Sequence, residues 1–413
     1  MVVVIGAGLA GSLAALALRE RGLPVTLLSQ APAPATASQF SYGGVPYWAA
    51  PALRRAPELW QALERRHGPL GWQRCKLTLH GGSANPPGAL GFPGPDLAAG
   101  LDSRASADAP SAESESDPTA DPTAKPSVDD TANPQGLEAA RSGLKALLSA
   151  AGHGVLERLG TSGQHLALEL PYGRVDGRVL AAALPAALER AGVGRRPGRA
   201  LSLESPGGSP WRVRLAGGET LEAETLETET LLLAAGAATA QLWPSLAPEL
   251  ATSWAGVLAL SGADLDPSDL PPGATAGIVM PLLGQRQALE QQTPSLGEGR
   301  AVVDAGLAPW GADWLLGQIS LVNPYGQFDP EPDPAWMEAR LRSGLARVWP
   351  QLACLPATYH QVPVSFTASG VPLVGPVAQA PGLWVCAGVG APFAALLPRL
   401  ESLADQLAAG VGS

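Results

Sequence analysis

The sequence predicts an α/β protein of two domains, a Rossmann-like domain built on a parallel sheet and a second, β-rich domain. Three observations carry that prediction. The opening run Val2-Val3-Val4-Ile5 is β-branched and apolar on both faces, as a central parallel strand buried on both sides must be. Leu9 to Arg21 then shows helical spacing, and Pro24-Val25-Thr26-Leu27-Leu28 returns to strand character, which gives a βαβ unit of about 30 residues. Much later, from Trp254 to Val364, short strands alternate with Pro/Gly turns, with one helix at Pro334 to Val348. That is the pattern of a β-rich domain, not of further βαβ units.

Within this frame each element has its own reason. Leu13, Leu16 and Ala17 give the first helix its sheet-facing stripe, and Gly22 supplies its C-terminal stop. Pro51 to Gly68 reads as an amphipathic helix with Leu59, Trp60 and Leu63 on the apolar side, and Lys76 to Leu79 as a short strand. From residue 81 to 136 the chain turns Ala/Ser/Asp/Pro-rich and cannot bury enough apolar surface to offset the entropy of ordering. Asp102 to Pro134 is therefore expected to be a disordered insertion in a surface loop. Order resumes with a helix over Leu137 to Ala151, a strand over His165 to Leu170 and a helix over Arg178 to Ala191. A hairpin turns at Gly217-Gly218, between Trp211–Leu215 and Glu219–Ala223. Thr230 to Ala235 and Leu383 to Ala387 are further apolar strands, each running into glycine, and a helix over Leu396 to Ala409 closes the chain. The domains predicted are 1–50, 137–245 and 365–413 for the first, and 51–80 with 246–364 for the second.

Composition limits what such a protein can do. At 413 residues, 46% hydrophobic and 15% charged, it can bury two cores. Its net charge of −10 supplies no basic face for nucleic acid. Residues 101–135 hold eight acids against Arg104 and Lys125, a net −6, so the remainder carries only about −4. Cys75, Cys354 and Cys386 are too few and too scattered for a disulfide framework or a zinc site, and no metal is expected. The N-terminus has no basic region or cleavage site, and its apolar stretch is broken by Gly6, Gly8 and Gly11, which argues against both a signal peptide and a membrane span. A cytoplasmic location and a small-molecule substrate are the resulting expectations.

The motif that carries chemistry is Gly6-Ala7-Gly8-Leu9-Ala10-Gly11, a G-x-G-x-x-G between strand and helix. Gly6 permits the tight turn, Gly8 lets a pyrophosphate approach the backbone, and Gly11 allows close helix–strand packing. The helix that opens near Leu9 offers unpaired N–H groups and a positive dipole end. A dinucleotide is the expected ligand. The second strand ends in Ser29-Gln30 where such sites usually carry an acid for the ribose hydroxyls, and no Arg adjoins them in sequence, which disfavours NADP.

Several further segments, in order, give the chain a resemblance to the FAD-dependent oxidoreductases of the D-amino-acid oxidase and glycine oxidase type. Ala37-Ser38-Gln39-Phe40-Ser41-Tyr42-Gly43-Gly44 is similar to that family's Ser/Gly-rich loop under the flavin, with Ser38, Ser41, Gly43 and Gly44 in its polar and glycine places. Val175-Asp176 before a helix, Leu232 to Ala237 with its Gly236 turn, Ser369 to Pro376, and Gly388-Val389-Gly390 resemble the family's remaining cofactor segments. The resemblance implies FAD, and oxidation of a C–N bond of an amine or amino-acid-like substrate by hydride transfer, with dioxygen or another acceptor reoxidising the flavin. The alternative is a catalytically degenerate member that binds FAD weakly or acts as a structural protein. The same resemblance places a carboxylate-binding Arg at or near Val364 and a second near Ala391, and neither is present. Tyr42, Tyr325 and His360 are the candidates to take over polar work, each with ordinary packing as its rival reading, and Arg286 lies in the same domain. Trp310, Trp314, Trp336 and Trp349 read as core before pocket lining.

Overall fold

A computed structural model describes residues 1–30, 36–82, 134–154, 156–159, 166–205, 210–216, 224–325 and 331–411. Most of the 81–136 insertion and the turn at Gly217-Gly218 with Glu219–Ala223 lie outside the described residues. Trp211–Leu215 does form a hairpin-like pair, but with Glu224–Thr228.

The first domain is a six-stranded sheet ordered Leu373–Pro376, Leu383–Ala387, Thr230–Leu233, Val2–Ile5, Val25–Ser29, Gly194–Pro197. All neighbours are parallel except the outermost pair, Leu373–Pro376 with Leu383–Ala387. The alternation of a strand sends Val2 and Val4 to one core, and Val3 and Ile5 to another. On the first side lie Leu9–Glu20, Gly177–Arg190 and Pro392–Val411. On the second, the small antiparallel sheet of Ala200–Glu204, Trp211–Leu215 and Glu224–Thr228 contributes Trp211, Val213 and Leu215. This explains why the sequence shows no polar face in the first strand. Val2–Ile5 lies between strands that leave in opposite directions, the topological switch point at which doubly wound sheets bind ligands.

The second sheet is mixed and runs Thr358–Phe366, Ala251–Leu260, Asp313–Val322, Arg300–Trp310, Gly277–Pro281, Trp72–His80, Leu166–Val175, Gly44–Val45, with Leu156–Leu159 also on Leu166–Val175. Helix Pro334–Ala346 covers one face, with Met337, Leu341 and Leu345 against Leu258, Leu307, Leu316 and Ile319. The opposite face presents Val257, Leu315, Val362 and Trp310 to Phe40, so the Ser38–Gly44 loop lies against it.

The packing divides the chain differently from the boundaries read above. Helix Ala56–His67, assigned to the second domain, packs on helix Pro392–Val411, where fully buried Trp60 donates its indole N–H to Phe393 O at 2.6 Å, in a cluster that also takes in Leu77, Leu168 and Leu170 of the second sheet. Strand Leu166–Val175, assigned to the first domain, belongs to the second sheet through its long antiparallel pairing with Trp72–His80. An amphipathic helix declares that it buries one face, not against which sheet. No helix among the described residues is long and apolar enough to cross a membrane.

Candidate functional site

At the C-terminal end of Val2–Ile5 the chain turns through Gly6, whose φ of +104° is a conformation few L side chains adopt. A Cβ there would lie 2.4 Å from Ala234 O, and one on Gly11 would lie 1.8 Å from Gly6 O. Both glycines are thus required by backbone contact. At Gly8, by contrast, an added Cβ would meet only Ser38 Oγ, at 3.9 Å. The crevice is open at the one glycine where a ligand would need to come close. Helix Leu9–Glu20 starts there with no side-chain cap on the Gly8 position. Leu9 N–H donates instead to Ser38 Oγ at 3.1 Å, which ties the helix start to the Ser/Gly loop, while the next first-turn amides, including that of Ala10, have no intrahelical acceptor. A helix end of this form accommodates an anion.

The loop is held in place from below. Gly43 has φ +68°, and a Cβ on it would fall 1.8 Å from Val175 O. Val175 N–H donates to Gly43 O at 2.9 Å, and Ser41 Oγ accepts from Gly43 N–H at 3.1 Å. A Cβ on Gly44 would strike the Tyr172 hydroxyl, and one on Gly177 the carbonyls of Ser38 and Gln39. Asp176 fastens this platform. Its carboxylate accepts from Arg178 N–H at 3.0 Å and Val179 N–H at 3.2 Å, capping the helix that follows. It also accepts from Arg174 at 2.7 Å and from Gly311 N–H at 2.8 Å, the last a link to the turn of the second sheet. Arg174 and Asp176 are both nearly fully buried.

The other sequence-derived positions fall around the same crevice. Ser29 ends its strand half-buried, and Gln30 is exposed beside it. The sequence shows no Arg next to them, yet the neighbouring strand sets Arg196 opposite Leu28 and Pro197 opposite Ser29, with Arg196 ion-paired to Glu224. Strand pairing, invisible to local reading, brings that arginine near, but Pro197 is what stands opposite Ser29 and Glu224 engages the guanidinium. Gly236 has φ +57° and open space where a Cβ would go, as does Gly390. Gly388, at φ +65°, adjoins Thr367, whose hydroxyl is buried with no hydrogen-bond partner among the described residues. Next comes Ala391, which at φ +44° adopts the left-handed conformation without being glycine.

Of the three polar candidates, the structure brings two together. Tyr42 leaves the loop toward the second sheet and donates its hydroxyl to Gly317 O. Burial, and then the nearby Asp304 carboxyl, hold that hydroxyl well above the usual tyrosine pKa. His360 stacks on Phe40 with centroids 4.2 Å apart and an interplanar angle of 20°. On strand Thr358–Phe366, His360, Val362 and Val364 share the face turned to the loop. Tyr325 is elsewhere: its hydroxyl accepts from Ala368 N–H at 3.0 Å and its ring packs in a separate cluster, so it fixes a loop and does not face Tyr42. Trp310 and Trp349 are core, Trp314 is partly buried, and Trp336 is exposed with Arg340 over its ring. Sequence reading missed Asp304. Its signal was a lone acid in the apolar strand run Ala301-Val302-Val303-Asp304-Ala305-Gly306-Leu307.

Burial pushes the pKa of His360 below the ordinary value near 6.5. A depressed folded-state value means that the unfolded chain binds the proton more readily. The contribution of His360 is thus present above the unfolded pKa and is lost as pH falls through the folded one. Acid denaturation compared between the wild type and His360→Phe is expected to show the variant losing less stability between pH 7 and pH 5. Parallel curves would contradict this.

A glycine-lined helix start at the switch point of a parallel sheet, facing a second, β-rich sheet across a loop, is an arrangement that suits a dinucleotide. The chain belongs to the DAO family of FAD-dependent oxidoreductases, whose profile it matches over residues 1–398. The fold is shared with iminodiacetate oxidase from Chelativorans sp. BNC1, at 18% identity and a TM-score of 0.62, over 100% of this chain and 95% of that one. Glycine oxidase from Bacillus cereus ATCC 14579 aligns with a TM-score of 0.64 at 14% identity, over 99% of this chain and 95% of that one. L-alpha-glycerophosphate oxidase from Mycoplasma pneumoniae, solved with FAD bound, aligns with a TM-score of 0.59 at 13% identity, covering 99% and 94%. No curated protein matches the sequence. The residues present fit FAD on two structural counts: the helix start left open at Gly8, where a side chain would intrude on a ligand, and the orphaned Thr367 hydroxyl beside Gly388. No cluster of metal-ligating side chains occurs among the described residues.

Proposed function

We propose that this FAD-dependent oxidoreductase oxidises a C–N bond of an amine or amino-acid-like substrate. Bound FAD supplies the two-electron acceptor for a hydride leaving the carbon next to nitrogen. The protein's own residues do the rest. The amides of the Gly8–Gly11 turn, together with Ser38, hold the pyrophosphate; Ser29 and Gln30 meet the adenosine ribose; and Gly43, Gly44, Gly236, Gly388 and Gly390 leave room for the remainder of the cofactor. Tyr42 and the sheet face carrying His360, Val362 and Val364 enclose the substrate and exclude water. The observation that carries this reading is the position of Tyr42, which belongs to the cofactor loop and yet bonds to Gly317 of the opposing sheet, so one loop borders both sites. We divide the domains as the cofactor sheet with its helices against the mixed sheet with Pro334–Ala346. Three free cysteines accord with a cytoplasmic protein.

The test is anaerobic. Purified protein should carry flavin absorbance equivalent to about one FAD per chain. Amines should bleach it faster than neutral amino acids do, since Val364 and Ala391 stand where carboxylate-binding arginines would. Rapid bleaching by neutral amino acids would refute that ordering, and a colourless protein indifferent to added FAD would favour a catalytically inert member.

A further inference from the structure

We propose that Asp304 is the residue that selects the substrate by charge, so that the site takes an ammonium group carried on a substrate with no carboxylate beside it. The inference rests on the functional reading above and names the substrate class for that same site.

Asp304 lies on the loop-facing side of the second sheet. On strand Arg300–Trp310, Val303, Ala305 and Leu307 pack toward helix Pro334–Ala346. Gly306 approaches the Tyr42 ring and Trp310 donates its indole N–H to Gln39 O, both on the other face. Pairing shifts between Val303 and Gly306, which leaves Asp304 partly accessible at a bulge. It is close enough to Tyr42 to disfavour ionisation of the phenol.

The acceptors around it outnumber the donors. Asp304 Oδ1 accepts from Gln285 N–H at 2.7 Å and Oδ2 from Arg286 N–H at 3.1 Å, which leaves capacity on both oxygens. Gln285 Oε1 is buried with no donor among the described residues. The Tyr42 hydroxyl donates its one hydrogen to Gly317 O, so its oxygen can only accept a further bond. Among the described residues Arg286 is the cation beside it, and it is already engaged by Glu290 at 3.3 Å. Asp304 and Glu290 are two carboxyls to that one guanidinium, and burial raises the pKa of each, so an added cation would favour the charged form of both. On strand Thr358–Phe366 of the same sheet, the half-buried positions on the loop-facing side are His360 and Val364, neither a fixed cation. A ligand bringing N–H donors and one positive charge suits the remaining capacity of the Asp304 carboxylate and the Tyr42 oxygen. A carboxylate would meet two acids and no free guanidinium, an arrangement that excludes by repulsion as well as by absence of contact.

The probe is tert-butylammonium, which has the charge and donors of a substrate amine but no hydrogen on the carbon bearing nitrogen, so it binds without turnover. Pivalate is its near-isosteric anion. Each is titrated calorimetrically into the FAD-loaded protein, with flavin absorbance recorded alongside. The ammonium should bind saturably and perturb the flavin bands, and pivalate should not. Asp304→Asn, which keeps an acceptor for the backbone amides, should weaken ammonium binding about ten- to a hundredfold while FAD is retained. Arg286→Met should shift it oppositely, tightening it several-fold, and serves if the first variant folds poorly. Preferential binding of pivalate, or ammonium affinity unmoved in both variants, would overturn the proposal. A protein that takes up no FAD would instead contradict the functional reading, and calorimetry would still report whether Asp304 sets the charge preference.

Discussion

Asp176→Ala is expected to destabilise the protein by about 3–5 kcal/mol, read from urea denaturation. The size follows from what remains. The Asp176 carboxylate receives Arg174, two amides of the helix that starts at Gly177, and Gly311 N–H. Removing it uncaps the helix, cuts the link to the second sheet and leaves the Arg174 guanidinium, only 5% exposed, without its counter-charge. The loop would suffer as well, because Val175 and Gly177 are the surfaces against which Gly43, Ser38 and Gln39 rest. FAD affinity should fall together with stability. Arg178→Ala provides the contrast: that side chain pairs with Asp313 across the surface and is half-exposed, so its loss should cost no more than about 1 kcal/mol. An Asp176→Ala protein within 1 kcal/mol of the wild type would mean the four bonds are not acting together.

The second large effect is on the cofactor. Gly11→Ala should lower FAD affinity at least about a hundredfold, equivalent to roughly 2.8 kcal/mol. The new methyl would sit 1.8 Å from Gly6 O and 3.4 Å from Val4, so helix Leu9–Glu20 must move away from its strand. Overpacking of this kind ordinarily costs about 1–3 kcal/mol, and here the obstacle is backbone that cannot rotate aside. The displaced helix carries the amides that face the phosphates. Gly154→Ala, where nothing lies within 4 Å, should leave FAD binding unchanged. Fluorescence titration of the apoproteins with FAD measures both, and equal affinities would show that close helix–strand packing is not what shapes the cradle.

What the sequence disclosed was local. The buried strand Val2–Ile5, the glycines after it, the helix stop at Gly22 and the later strand ending near Gly236 each announce themselves within a few residues, because turn chemistry and periodicity are short-range properties. The loop at Ser38–Gly44 and the turn at Gly388–Gly390 were legible through resemblance to a family. Features that depend on chain segments meeting across hundreds of positions were not. Nothing near Asp176 in sequence points to Gly311, 135 residues away. Ala56–His67 shows an apolar face but not that Phe393 receives it. Tyr325 and Tyr42 look alike beside proline and glycine, yet one secures Ala368 and the other reaches Gly317. Arg196 comes to the end of the second strand only because a strand pairs there. Asp304 also went unread, although it stands as an isolated charge in an apolar strand.

The most direct measurement is a crystal structure of the protein grown with excess FAD. The pyrophosphate should lie against the backbone amides of Gly8, Leu9 and Ala10, with Ser38 Oγ turned from the Leu9 amide toward a phosphate oxygen. Density for the nucleotide elsewhere, or a helix start still closed by Ser38 with the crevice empty, would contradict the account.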